Sequence, residues 1–179
     1  MRSCDEECSI KGIPDHLHQL GRVVDPDFSD GELLFRRFRF SDVDLTSTIK
    51  FNDMSVNREN HGHGPDDALW NDVAGGRYEG YGVLQFPVAA LSGTWGHPDG
   101  QKFPIDYSLK PSHVPRQCNY PHSEVTAVEF DRKDGTSRFP KDIKPTSVKM
   151  RIREHLQPHV RVVLPLERSG QDLPVQRKA

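Results

Sequence analysis

Three arginines stand inside an aromatic run, Glu32-Leu33-Leu34-Phe35-Arg36-Arg37-Phe38-Arg39-Phe40. A guanidinium keeps its charge at any ordinary pH, so one placed beside a core needs carboxylate, phosphate or carbonyl oxygens in place of lost water. The commoner outcome is an internal ion pair, with Glu32 and Asp44 as the acids nearest in sequence and the remaining arginines in solvent. The other outcome is a pocket for an anion or a nucleotide. Ser47, Thr48, Ser55, Asn57 and Arg58 follow closely and bring the hydroxyl, amide and guanidinium donors that line small polar sites. Hydroxyls on strands and turns more often bond nearby backbone instead. With the later His122, the candidate ligand-binding residues are Arg36, Arg37, Ser47, Ser55, Arg58 and His122.

His61-Gly62-His63 offers two imidazoles two residues apart, and His122 with Glu124 a second mixed pair, so a divalent metal on His61 and His63 is conceivable chemistry. The spacing is not the helical His-Glu-x-x-His pattern, and a glycine-flanked loop reads first as solvated histidines, so the metal is not favoured. Cys4 and Cys8 could join such a site, but the acidic N-terminal segment reads as holding free thiols. The sequence contains no glycine-rich phosphate loop, nucleophile elbow, dinucleotide fingerprint or zinc-finger spacing, so no catalytic residue is assigned and no cofactor identified. Lys141, Lys144, Lys149, Arg151, Arg153 and Arg161 make a basic C-terminal segment, read first as a solvated face because it lacks interleaved aromatics.

The elements that must position these groups are mostly strands. The aromatic run and Leu45–Phe51 carry the β-branched and aromatic residues of extended chain. Met54–Arg58 continues the second of these or forms a loop. Pro65-Asp66-Asp67 opens a short helix that ends by Gly75-Gly76, since proline costs no hydrogen bond in a first turn and acids suit the helix dipole. A short helix over Pro14–Leu20 also fits. Tyr81–Leu91 reads as a buried strand bent at Pro87, Phe103–Leu109 as a modest strand among long connections, and His122–Phe130 as a half-buried strand closed by the Lys133-Asp134-Gly135 turn. Val148, Ile152 and His155 or Leu156 share one helical face after Pro145, and His159–Pro165 is a last strand. This order lacks the alternation of a doubly wound sheet and predicts an α+β fold: a mixed or mostly antiparallel sheet with two or three short flanking helices.

Composition sets the outer bounds. With 179 residues the chain suits one domain, and a hydrophobic fraction of 34% leaves part of the length outside it. The expected division is a flexible arm over 1–29, a domain over 30–166 and a disordered tail over 167–179. The formal charge of -2 gives no overall basic field, so any nucleic acid would have to bind a local patch. No apolar run approaches the roughly 20 residues of a membrane span, which excludes an integral membrane protein of helical type. Three cysteines without an even framework, and a start lacking a signal-peptide core, predict a cytoplasmic protein with reduced thiols.

Leu34-Phe35-Arg36-Arg37, the stretch from Ser47 to Phe51, Met54-Ser55-Val56-Asn57-Arg58 and Pro121-His122-Ser123-Glu124-Val125 together resemble a family of small uncharacterised bacterial proteins. These share an arginine-pair strand, a serine-rich stretch, an MSV segment and a late histidine-bearing strand. The resemblance spans residues 32 to about 165 and implies a bacterial origin; it implies no activity. The chain departs from the family's pattern at Thr48-Ile49-Lys50 and in the long segment 92–120. The leading expectation is a non-catalytic accessory protein of a bacterial multi-protein system that binds an anion, a nucleotide or a protein partner. The alternative is an enzyme processing nucleotides or nucleic acid, with arginines on phosphate and histidines as metal ligands or acid-base groups. A DNA-binding regulator ranks last, for want of a helix-turn-helix.

Overall fold

The computed structural model describes residues 4–40, 49, 51 and 53–165. Eight strands form one curled antiparallel sheet: β1 (Leu33–Arg39), β2 (Met54–Arg58), β3 (Tyr81–Pro87), β4 (Trp95–Gly96), β5 (Ile105–His113), β6 (His122–Asp131), β7 (Thr136–Arg138) and β8 (Arg161–Leu164). Their order is β4-β5-β6-β2-β1-β3-β8, and β7 takes the far end of the β6 edge that β2 also uses. With α1 (Cys4–Ile10), α2 (Thr146–Leu156) and several 3₁₀ turns, this is the α+β architecture expected from the sequence.

One face of the sheet carries the main core. Leu34 and Phe38 of β1, Met54 and Val56 of β2, Leu84 and Phe86 of β3, and Val125 and Ala127 of β6 pack with Val148, Ile152 and Leu156 of α2. Those last three lie four residues apart, so they form one stripe of a 3.6-residue helix and bury together. Phe35 and Val83 point to the other side, where Ala68 and Leu69 of the 3₁₀ turn Pro65–Leu69 cover them.

The junction between β1 and β2 is short. It holds two residue pairs, Leu34 with Arg58 and Phe35 with Asn57. β1 continues along β3 through Arg39, while β2 continues along β6 back to Met54. Beyond Phe35 the two strands therefore diverge, and the sheet opens between them.

Several elements differ from the sequence reading. β5 runs through Pro111 to His113, four residues beyond the expected Leu109. There β5 pairs with β6 on one side only, so the missing proline N–H leaves no ladder bond unmade. The helix expected from Pro65 to Gly75 stops at Leu69 as a 3₁₀ turn. Asn71 Oδ1 accepts the N–H groups of Val73 and Ala74, which a helix would have sent to its own carbonyls. Most of the strand expected at Leu45–Phe51, Ser47 included, and the tail over 167–179 lie outside the described residues.

The N-terminal stretch is not a loose arm over its described part, residues 4–29. Cys8 is disulfide-bonded to Cys118, 110 residues away in sequence, and packs with Ile13 and Leu17 in a small second core beside Trp70. Gln19 donates its N–H to the Gln117 carbonyl at 2.9 Å, and Tyr120 donates to the Leu17 carbonyl at 2.8 Å. The expectation of free thiols is corrected for Cys8 and Cys118: three cysteines with no regular spacing carry no signal of which pair will meet. A disulfide persists in oxidising surroundings.

Candidate functional site

The cleft lies where β1 and β2 part. Phe35, Arg36 and Arg37 line it from β1, Ser55, Val56 and Asn57 from β2, and His122 from β6, while Ala68 and Asp72 approach from the β2–β3 connection and Arg116 and Asn119 from the β5–β6 connection. Its inner space is about 40 Å³, comparable with a few water molecules.

By strand alternation Arg36 shares a face with Leu34 and Phe38, which explains why a charged side chain there is largely buried. Its Nη1 donates to the Ser55 carbonyl at 2.8 Å, and its Nε is buried with no partner. Among the described residues no carboxylate pairs with it. Loss of water, and then repulsion from Arg37, push its pKa down to about 10. Arg37 donates to the Ala68 carbonyl at 3.0 Å and lies over the Tyr78 ring at 3.6 Å. Its pKa is also lowered, chiefly by burial and partly by Arg116, with the two tyrosines Tyr78 and Tyr81 and the acid Asp72 opposing. Arg116 approaches Asp72 at 3.3 Å.

His122 sits at the buried end. Its Nδ1 lies 2.7 Å from the Val114 carbonyl, and Nε2 has no partner. Burial lowers its pKa, assisted by Arg116, against the backbone bond and Asp72. Beside it, Asn119 Nδ2 donates to Asn57 Oδ1 at 3.2 Å, which leaves Asn57 Nδ2 and Asn119 Oδ1 unpaired. Five buried side-chain polar atoms among the described residues lack a hydrogen bond: Arg36 Nε, Asn57 Nδ2, Asn119 Oδ1, His122 Nε2 and Arg153 Nε. The first four belong to residues lining this cleft. Such atoms cost stability wherever water cannot reach them, and they are concentrated here.

The candidate residues from the sequence thus divide. Arg36, Arg37, Ser55 and His122 meet in one cleft. Arg58 does not: it is fully buried and forks onto Glu32, with Nε 2.7 Å from Oε1 and Nη2 2.8 Å from Oε2. It also donates to the Asp25 and Asp27 carbonyls and stacks on Phe28 at 3.8 Å. The internal ion pair expected for one arginine exists, but its arginine is Arg58, with Glu32.

The two imidazoles considered for a metal face different partners. His61 Nε2 lies 2.9 Å from Asp25 Oδ2 and the ring stacks on His113, whereas the His63 ring stacks on His16 at 3.7 Å. Among the described residues no group of three or more His, Cys, Asp or Glu side chains is placed to hold a metal ion. No helix among them is long and apolar enough to cross a membrane. Asp72, Arg116 and Asn119 were not singled out by sequence; the one nearby signal was Cys118, a cysteine within an otherwise polar connection. Comparison with known proteins finds no matching family model, no matching characterised protein and no matching solved structure.

Proposed function

We propose that the protein is a non-catalytic binding module whose cleft between β1 and β2 takes a small anion. The observation that carries this reading is Arg36: a cation with no carboxylate among the described residues, its Nε buried and unpaired, beside three more unpaired polar atoms. Burying a charge without a counter-charge is costly, and an anionic guest removes that cost. Arg37 and Arg116 add positive charge against the single acid Asp72.

The size of the cleft favours one anionic group over a whole nucleotide, since small-molecule pockets are ordinarily about 300 Å³ or more. The reading as a nucleotide- or nucleic-acid-processing enzyme has less support, because neither His61 nor His63 lines the cleft that holds Arg36 and Arg37. A role as an accessory subunit of a bacterial assembly remains part of the proposal, with the bound anion as the signal or structural ion that a protein partner reads. For the compartment, the Cys8–Cys118 bond supports oxidising surroundings in place of the cytoplasm suggested by the cysteine count.

The test is thermal unfolding and calorimetry of the full chain with phosphate, sulfate, bicarbonate, small carboxylates and nucleoside phosphates. The expected result is stabilisation by small anions, no larger effect from nucleotides, and loss of the effect in Arg36→Met. Absence of stabilisation by every anion removes the proposal; hydrolysis of a nucleotide or nucleic acid favours the enzymatic reading.

A further inference from the structure

The unpaired atoms of the cleft are of two kinds, and the difference specifies the guest. Arg36 Nε and the fixed guanidinium groups of Arg37 and Arg116 only donate. His122 presents the opposite. A carbonyl oxygen only accepts, so the Nδ1 facing the Val114 carbonyl at 2.7 Å carries the ring hydrogen. In the neutral ring Nε2 is then a bare lone pair, buried and without a donor.

The two asparagines lead to the same point whichever way their amides are turned. One amide nitrogen bonds the other residue's amide oxygen, and one nitrogen and one oxygen are left over. Asp72, whose Oδ2 accepts from Arg116, also lines the cleft. The cleft therefore combines cationic donors with at least two acceptors that need a hydrogen.

We infer that the guest is a small oxyanion that keeps an O–H of its own, in the class of hydrogenphosphate and bicarbonate. This rests on the reading of the cleft as an anion site and adds its selectivity. The anionic oxygens face Arg36, Arg37 and Arg116, and the O–H donates to His122 Nε2 or to the leftover amide oxygen. An anion of the same shape without a hydrogen sets lone pair against lone pair, and a site built to pair a polar hydrogen rejects analogues that lack it.

The experiment measures binding to the full chain at pH 7.5 and constant ionic strength for two shape-matched pairs. Phosphate and sulfate are tetrahedral, bicarbonate and nitrate planar, and in each pair only the first carries an O–H. The expected result is that at least one protonated member binds about tenfold or more tightly than its match, the size of one well-made hydrogen bond to a charged group. Which pair shows the preference tells phosphate from bicarbonate. His122→Asn, whose amide can still donate to the Val114 carbonyl, narrows that ratio where His122 Nε2 takes the hydrogen and leaves it unchanged where the amide oxygen does; should this variant fail to fold, the wild-type ratio decides alone. Sulfate and nitrate binding as well as their matches, with binding lost in Arg36→Met, overturns the selectivity and leaves the anion site standing. No binding of any of the four, or binding indifferent to Arg36→Met, overturns both.

Discussion

Arg36 donates through Nη1 to the carbonyl of Ser55 at 2.8 Å, across the gap where β1 and β2 have ceased to pair. A guanidinium thus stands where a strand N–H would be, and it brings a charge into the sheet. In the ligand-free protein this charge is a burden on folding.

Arg36→Met is therefore expected to leave the ligand-free protein as stable as the wild type or more so, by about 1 kcal/mol, while abolishing anion-dependent stabilisation. Urea unfolding with and without phosphate checks this. A variant much less stable than wild type in the absence of anions would mean that the Ser55 bond, and not a guest, is the reason for this arginine.

Glu32 and Arg58 present the opposite case. Both side chains are fully buried and joined in a two-pronged bond. Among the described residues only the half-exposed Asp25, 3.3 Å from Arg58 Nη1, stands as a second acid, so removing Glu32 leaves a buried charge that is only partly compensated. Glu32→Ala is expected to cost about 3–5 kcal/mol. The double variant Glu32→Leu with Arg58→Met is expected to cost less than the sum of the two single changes, because no fully buried charge is stranded. Chemical denaturation of the four proteins reads the coupling; strict additivity would show that the pair contributes nothing beyond its separate parts.

These two arginines show what was legible in the sequence and what was not. Aromatic flanks announced β1 and flagged Arg36 and Arg37, and alternation announced β6 with His122. Nothing local separated Arg58 from them. Its fate is set by lying opposite Leu34 in the short β1–β2 ladder, within reach of Glu32 and Phe28. Asp72, Arg116 and Asn119 reach the cleft from connections, whose paths depend on the topology and on the tie between Cys8 and Cys118. β5 was cut short because proline reads as a strand breaker until the open edge beside Pro111 is known.

Acid is expected to weaken the fold through two histidines. Burial lowers the pKa of both His113 and His122 below the ordinary value of 6.5. His113 Nδ1 already accepts the Asp25 N–H at 2.9 Å, so a proton there would break that bond. As pH falls below 6.5 the unfolded chain takes up protons that the folded chain refuses, so stability drops until the lowered folded values are passed. Asp25 is also held below its usual 3.8, chiefly by the Asp27 backbone N–H, so its contribution is lost only in a more acidic window. Unfolding midpoints at pH 7.5, 6.5 and 5.5 should fall in that order, with a shallower fall in His122→Asn; a flat profile would contradict the lowering of both groups.

The Cys8–Cys118 bond couples stability to the cleft. It closes a loop of 110 residues, and its loss is expected to cost about 2–4 kcal/mol, largely by freeing the unfolded chain. Cys118 lies between Arg116 and Asn119 in sequence, and its partner Cys8 is held in α1. Cys118→Ser should therefore lower anion affinity as well as stability, although neither cysteine lines the cleft. Alkylation under denaturing conditions is expected to label one of the three cysteines before reduction and all three after it. Both sulfurs lie in residues almost wholly shielded from solvent, so reductant should open the bond slowly until denaturant is added. Equal labelling before and after reduction would show that the bond is not formed, and the tie between this connection and the N-terminal segment would then rest on noncovalent bonds such as those to Leu17 and Gln19.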